Sequence, residues 1–338
     1  MRIIDAEAHF YTPDYIAHVR SRRGFPHEVH ENGDIKLYYN RTLFSPRGPK
    51  VSRDLNDIDH GRISNMDSSG IAMQVLSLSN PGVQMWPKKE ALIWARRTND
   101  SLIEMIKKHP DRFIGLASVA TQDPENSAAE IERCAANPGI KGVNILSHSR
   151  NEYLDDQKFW PIFEAAEKAG IPVYLHPGVP STKILDGFQD YGFPLAGPIL
   201  GFAVDVSLHT MRLIYAGLFD KFPELQLVLG HLGEGLPYWL PRLDYAYLKA
   251  WVREKPIIAR KPSEYLCDNV YLTTSGIFFQ PALICAALAM GVDRIMFAID
   301  YPYEPDDVAL HFINEAPFSP ADKEKILHGN AEKLFNIH

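Results

Sequence analysis

Five residues in this chain have side chains suited to holding a metal ion or moving a proton, and each follows a short apolar run. Glu7 and His9 form an E-x-H pair in RIIDAEAHF, His176 ends IPVYLH, His231 stands in VLGHLGE and Asp300 in FAIDYP. In extended chain, residues two apart point to the same side, so Glu7 and His9 can reach one ion. Two carboxylates and two imidazoles form a mixed oxygen and nitrogen set. Such a set suits Zn²⁺ or Mn²⁺ and leaves a position open to water or substrate, unlike a closed thiolate site. A metal held this way acts as a Lewis acid. Asp300 beside it is expected to stay ionised yet lie close enough to exchange a proton with substrate. His231 and Glu234 are three residues apart; if the turn between them is helical, the carboxylate can hold the imidazole in one tautomer.

Each residue has a plainer alternative. A histidine after an apolar strand is commonly a hydrogen-bonded structural residue, and an aspartate there often caps the next helix. It is the five together, at four strand ends, that argue for a site. The other histidines fall in helices, loops or termini, with His148, just beyond the fourth strand, and His209, near a helix start, standing nearest to the set.

The elements that must position these residues are eight short apolar runs, at 2–6, 71–77, 113–118, 141–146, 171–175, 226–230, 270–274 and 294–299. Amphipathic stretches of helical length lie between them, among them 89–108, 125–136, 158–169 and 280–290. Strand and helix repeated eight times predict an α/β fold, a (β/α)₈ TIM barrel spanning residues 1–338 as a single domain. In such a barrel the carboxyl ends of the strands meet at one mouth. A doubly wound open sheet is the alternative, but it wants a glycine-rich phosphate turn after the first strand, where this chain has Glu7-Ala8-His9-Phe10-Tyr11. Two connections, 20–56 and 177–204, are longer than a barrel needs and read as lids or binding loops, with oligomer-contacting or disordered loops as the alternative. Arg47 and Arg53 in the first of them are either grips for a substrate carboxylate or solvated surface residues.

Composition narrows the partner. With 35 Lys and Arg against 42 Asp and Glu, a formal charge of −7, the chain carries no footprint for nucleic acid or anionic membrane, so a small molecule is expected. The N-terminus enters a strand directly and no run is long and apolar enough to span a bilayer, so a cytoplasmic protein is expected. Three scattered cysteines suggest neither a disulfide framework nor a C-x-x-C metal site.

The sequence resembles the amidohydrolase superfamily, and within it the decarboxylase branch related to aminocarboxymuconate semialdehyde decarboxylase. It is most like the γ-resorcylate, 2,3-dihydroxybenzoate and 5-carboxyvanillate decarboxylases. The resemblance rests on SNPGVQ (79–84), RTNDSL (97–102), HPDRFIGLASVATQDPE (109–125), VYLHPG (173–178), the long block 216–244 around His231, LTTSG (272–276), DRIMFAIDYPYE (293–304) and NAEKLF (330–335). It implies that Glu7, His9, His176 and Asp300 ligate one divalent metal, Zn²⁺ or Mn²⁺, and that His231 is an active-site histidine with Glu234 its companion. It implies too that Arg242 enters the neighbouring subunit's site in a homodimer or homotetramer, where its planar fork can grip a carboxylate. The reaction it implies is non-oxidative decarboxylation of a hydroxylated aromatic acid, the metal chelating carboxylate and ortho-hydroxyl and Asp300 protonating the ring carbon. The chain departs from relatives in DAEAHF, which has a single Glu before His9, and in 20–56, which matches nothing. A metal-dependent hydrolase or hydratase using a metal-bound hydroxide would use the same residues. A non-enzymatic barrel with a structural metal is disfavoured because no thiolate closes the shell.

Overall fold

Strands buried on both faces read as nearly continuous apolar runs, and those runs become the staves of a barrel. The computed structural model describes residues 2–31, 34–249 and 258–337. Its main sheet holds eight parallel strands in chain order: β1 (Ile4–Phe10), β2 (Met73–Leu78), β3 (Phe113–Ser118), β4 (Ile140–Leu146), β5 (Val173–His176), β6 (Leu227–Leu229), β7 (Val270–Thr273) and β8 (Ile295–Met296). The ring is drawn together between β8 and β1 by Ala6 N to Phe297 O (3.0 Å), Asp300 N to Glu7 O (3.1 Å) and His9 N to Tyr301 O (2.8 Å). Alternate side chains on the strands, such as Ile4, Val75, Leu116, Val228 and Met296, fill the interior. Their neighbours, such as Leu76, Val143, Leu175 and Leu272, pack outward against the helices.

The last strand is shorter than the expected 294–299. Beyond Met296 the amides leave the ladder for other acceptors: Phe297 N bonds Ile326 O (2.7 Å), Ala298 N bonds Thr274 Oγ1 (2.9 Å) and Ile299 N bonds Asp5 Oδ1 (2.9 Å). The first strand departs in the opposite sense. It runs on through Glu7 and His9, and its register against β2 slips by one residue between Asp5 and Ala8. This bulge puts both Ala6 and Glu7 inside, and resets the phase so that Glu7 and His9 face inward together.

Residues 20–56 are not a loop. They fold into a three-stranded antiparallel sheet (His27–Glu31, Asp34–Tyr38, Phe44–Arg47) followed by a helix, Pro49–Asn56. The second long connection also carries structure, including the short helix Thr182–Leu185, before the helix Gly201–Tyr215. The two meet in a small apolar cluster of Leu43, Leu185 and Ala196, with Tyr39 stacked on Phe193 at 5.9 Å.

Candidate metal centre

Three strands and the turns that follow them set the site. Glu7 and His9 come from β1 and His176 from the end of β5. Asp300 follows β8, in a left-handed conformation (φ 77°) that aims its carboxylate back over the mouth. One donor atom from each of Glu7, His9, His176 and Asp300 lies within 4.8 Å of the others. Glu7 Oε1 stands 3.2 Å from His176 Nε2, and Asp300 Oδ1 stands 2.9 Å from His9 Nε2. The four residues expected as ligands are therefore brought together.

Their outer partners fix which atoms face inward. His176 Nδ1 lies 2.8 Å from the Pro177 carbonyl, which only accepts, so that nitrogen carries the proton and Nε2 presents its lone pair. His9 Nδ1 bonds Ser77 Oγ at 3.0 Å; this hydroxyl accepts as readily as it donates, so it suits the same arrangement without dictating it. Glu7 Oε2 accepts from the Tyr174 hydroxyl and from Thr273 Oγ1 (3.0 Å), while Glu7 Oε1 and Asp300 Oδ1 are buried without a hydrogen-bond partner among the described residues. Two unprotonated nitrogens and two orphaned carboxylate oxygens facing one another form a strongly electron-rich cage. A divalent cation satisfies all four, so the donor set fits a metal.

Electrostatics agree with ionised carboxylates. Burial would raise the Glu7 carboxyl, but the neighbouring imidazoles, His176 first and then His231 and His9, hold it well below the usual range. Asp300 is lowered in the same way, with burial overridden by the neighbouring His231 and His9 imidazoles. Burial and the neighbouring Glu7 keep the Tyr174 hydroxyl protonated as a donor by raising its pKa.

His231 sits beside this cluster, its Nε2 3.8 Å from Asp300 Oδ2 and its Nδ1 2.7 Å from Glu234 Oε1. The His231–Glu234 contact is made, but not by a right-handed turn. His231, Leu232, Gly233, Glu234 and Gly235 all have positive φ, between 51° and 84°. Glycine tolerates this conformation, whereas each L-residue in it costs about 1–2 kcal/mol, strain of the kind that gathers at functional sites. Burial opposes charge on His231, yet Glu234 and Asp300 outweigh it and push its pKa well up. Ser275 Oγ accepts from His231 N (3.1 Å) and contacts Thr273 Oγ1 (2.9 Å), so the same hydroxyl chain supports Glu7 and His231.

Arg242 lies outside the cluster, exposed on the helix Leu236–Lys249. His148 bonds the Val179 carbonyl (2.9 Å) and His209 is buried against Leu154 N (2.9 Å), so neither joins the set. Arg47 is buried, its guanidinium 4.9 Å over Tyr11 and 3.3 Å from Glu28, whereas Arg53 is exposed beside Asp54. Sequence reasoning missed Ser77, Tyr174, Thr273 and Ser275, which occupy inward positions of their strands and are legible only once the strand phase is known.

The chain matches the amidohydrolase family over residues 4–337. It is 39% identical over 302 residues to a γ-resorcylate decarboxylase of Polaromonas sp., covering 86% of this chain and 91% of the relative. The structure of 5-carboxyvanillate decarboxylase from Sphingomonas paucimobilis superposes with a TM-score of 0.91 at 36% identity, covering 100% of this chain and 99% of that one. A dihydroxybenzoic acid decarboxylase from Polaromonas sp., solved with bound manganese and the inhibitor 2-nitroresorcinol, gives 0.87 at 36% identity, covering 99% and 97%. With these sequence and structural matches spanning nearly its whole length, the chain belongs to the amidohydrolase family, in the branch of the γ-resorcylate and 5-carboxyvanillate decarboxylases.

Proposed function

We propose that this protein is a metal-dependent, non-oxidative decarboxylase of a hydroxylated aromatic acid, with Glu7, His9, His176 and Asp300 holding one divalent cation, Mn²⁺ or Zn²⁺. The observation that carries the reading is the convergence of four donor atoms, with Glu7 Oε1 and Asp300 Oδ1 buried and unpartnered. The manganese in the dihydroxybenzoic acid decarboxylase structure supports it. When bound, the cation supplies Lewis-acid chemistry and a fixed point for the substrate carboxylate and ortho-hydroxyl.

The chain's own groups do the rest. Asp300, ionised at rest, takes up a proton from the charged His231 and delivers it to the ring carbon that bears the carboxylate; the bond to that carboxylate then breaks, its electron pair restores the aromatic ring, and CO₂ leaves, with His231 reprotonated from solvent. His231 is placed to exchange that proton with Asp300, and Glu234 orients it from the other nitrogen. Tyr303, whose ring lies 5.7 Å from that of His9 and whose hydroxyl bonds Ser79 Oγ at 2.6 Å, walls the mouth with an aromatic face against which a ring can lie flat.

The protein works as one unit over 1–338 and as a homodimer or homotetramer in the cytoplasm, Arg242 gripping substrate in the neighbouring copy. Exposed Tyr238, Trp239, Tyr245 and Leu248 on the helix of Arg242 support self-association. No single helix among the described residues is long and apolar enough to cross a membrane.

The test is CO₂ release, followed with ultraviolet spectra, from protein loaded with Mn²⁺ or Zn²⁺ and offered γ-resorcylate, 2,3-dihydroxybenzoate and 5-carboxyvanillate among other hydroxybenzoates. Chelator-sensitive release from one of them is expected. Silence across the panel with metal bound would transfer the site to hydrolysis or hydration.

A further inference from the structure

Arg62 touches none of the four donor atoms, yet it is one of the largest side chains among the described residues to be completely buried. It belongs to the helix His60–Ser69 that precedes β2, and its guanidinium is spent on four acceptors, none of them a carboxylate. Nη2 donates to the His9 carbonyl at 2.6 Å and to the Asp54 carbonyl at 3.2 Å, Nε to the Asp57 carbonyl at 3.0 Å, and Nη1 to Gln74 Oε1 at 3.2 Å. Its plane lies 4.7 Å over the ring of Tyr301. Burying a cation without a direct counter-ion is costly, and desolvation lowers this guanidinium to about 10, so it remains charged at neutral pH. A hydrophobic side chain would fill the space without that cost but would take the donor away from the carbonyls of His9, Asp54 and Asp57, so the reason for the arginine lies in what those acceptors hold.

What the charge touches gives the reason. His9 is held on both sides of its backbone by this group of contacts: its N–H donates to the Tyr301 carbonyl at 2.8 Å, and its carbonyl accepts from Arg62. Gln74 passes the support on, donating to Asp5 Oδ2 at 3.1 Å, while Asp5 Oδ1 accepts from Glu7 N and Ile299 N. The seam where β1 bulges and β8 leaves the ladder is thus fixed by one polar chain. Its other end is the inserted segment. The Asp54 and Asp57 carbonyls lie at and just past the C-terminal end of the helix Pro49–Asn56, where a cation is favoured, and Tyr11 N donates to Leu55 O alongside at 2.7 Å.

We infer that Arg62 is a positioning residue that ties the seating of the inserted segment 27–57 to the orientation of His9 and Glu7. An insert lifted from the barrel removes two of the four acceptors, and the guanidinium then shifts from the His9 carbonyl. This gives the segment a purpose its sequence did not reveal, since seating it against the barrel also sets the donor geometry.

The inference rests on the reading of Glu7, His9, His176 and Asp300 as metal ligands. Its test is Mn²⁺ titration of metal-stripped protein, followed by the loss of the free-ion electron paramagnetic resonance signal, for wild type, Arg62→Lys and Arg62→Met. Both variants are expected to fold and to bind Mn²⁺ more weakly, Lys by about tenfold and Met by up to about a hundredfold. Faster amide deuterium exchange across 44–57 should accompany the loss. Variants that bind Mn²⁺ within twofold of wild type overturn the inference. So does a loss of fold in both by circular dichroism, because Arg62 would then be a stability residue. A wild-type protein that binds no Mn²⁺ would instead sink the ligand assignment itself.

Discussion

His9 and His176 meet edge to face, ring centroids 4.7 Å apart and planes at 81°, and present their Nε2 atoms to each other at 3.2 Å. With each ring's proton on Nδ1, as the Pro177 carbonyl dictates for His176 and Ser77 allows for His9, this contact sets lone pair against lone pair, a repulsion that a cation held by the pair would relieve. Metal should therefore stabilise the fold by mass action, by about 2.7 kcal/mol at a hundredfold excess over Kd, which is a few degrees for a chain of this size. Calorimetry of chelator-treated protein with and without Mn²⁺ measures this. Identical melting temperatures would remove the metal from the site.

Asp300 combines two duties, ligand and proton donor, and Asn is nearly isosteric but cannot carry the proton. Asp300→Asn should lower kcat by roughly 10²–10⁴-fold at saturating Mn²⁺, the usual worth of a general acid. Near-normal kcat in that variant would sink the mechanism. Retained metal binding beside a lost kcat would locate the defect in proton delivery.

The parts of this site that were legible in the sequence are those carried by residue type at a strand end. Glu7, His9, His176 and Asp300 could be picked out because metal-binding side chains are rare directly after apolar runs. What stayed hidden depends on chain geometry at a distance. The β1 bulge sits at the barrel seam, between Asp5 and Ala8, and nothing in IDAEAH announces it. The left-handed run through His231 and Leu232 was half visible, since Gly233 and Gly235 suit positive φ. The insert was misread as a loop although HEVHE and DIKLY flank an Asn-Gly pair, a familiar hairpin signal. Arg62 was invisible because its role lies in acceptors, three backbone carbonyls and the Gln74 side chain, that three separate segments bring to it.

Gly230 is the inward residue after β6, and space explains it. A Cβ there would stand 3.3 Å from Glu7 Oε2, 3.2 Å from the Tyr174 hydroxyl and 3.3 Å from Ser275 Oγ, while its backbone (φ −67°, ψ 178°) suits any residue. Gly230→Ala should therefore fold, but displace Glu7 and the hydroxyls that hold it. We expect Mn²⁺ affinity to fall about tenfold, the usual range for disturbed outer partners of a metal site. Unchanged affinity would mean that the methyl group is absorbed without moving Glu7.

His209 supplies a pH dependence remote from the metal. It is fully buried, its Nε2 accepts from Leu154 N at 2.9 Å, and desolvation, helped by the nearby His148 and Arg212, depresses it to about 3. Folding therefore favours the neutral imidazole. Its contribution is complete above the unfolded value near 6.5 and is lost as pH falls from there toward 3. At pH 5 the loss is about 2 kcal/mol, one and a half pH steps at ~1.36 kcal/mol each. Glutamine can accept the same Leu154 amide without titrating, so His209→Gln should flatten the fall in stability between pH 7 and pH 5 by about that amount. Urea unfolding of both proteins in chelator, which removes the proton dependence of metal binding, measures the difference. Parallel pH profiles for the two would place the acid sensitivity on other groups.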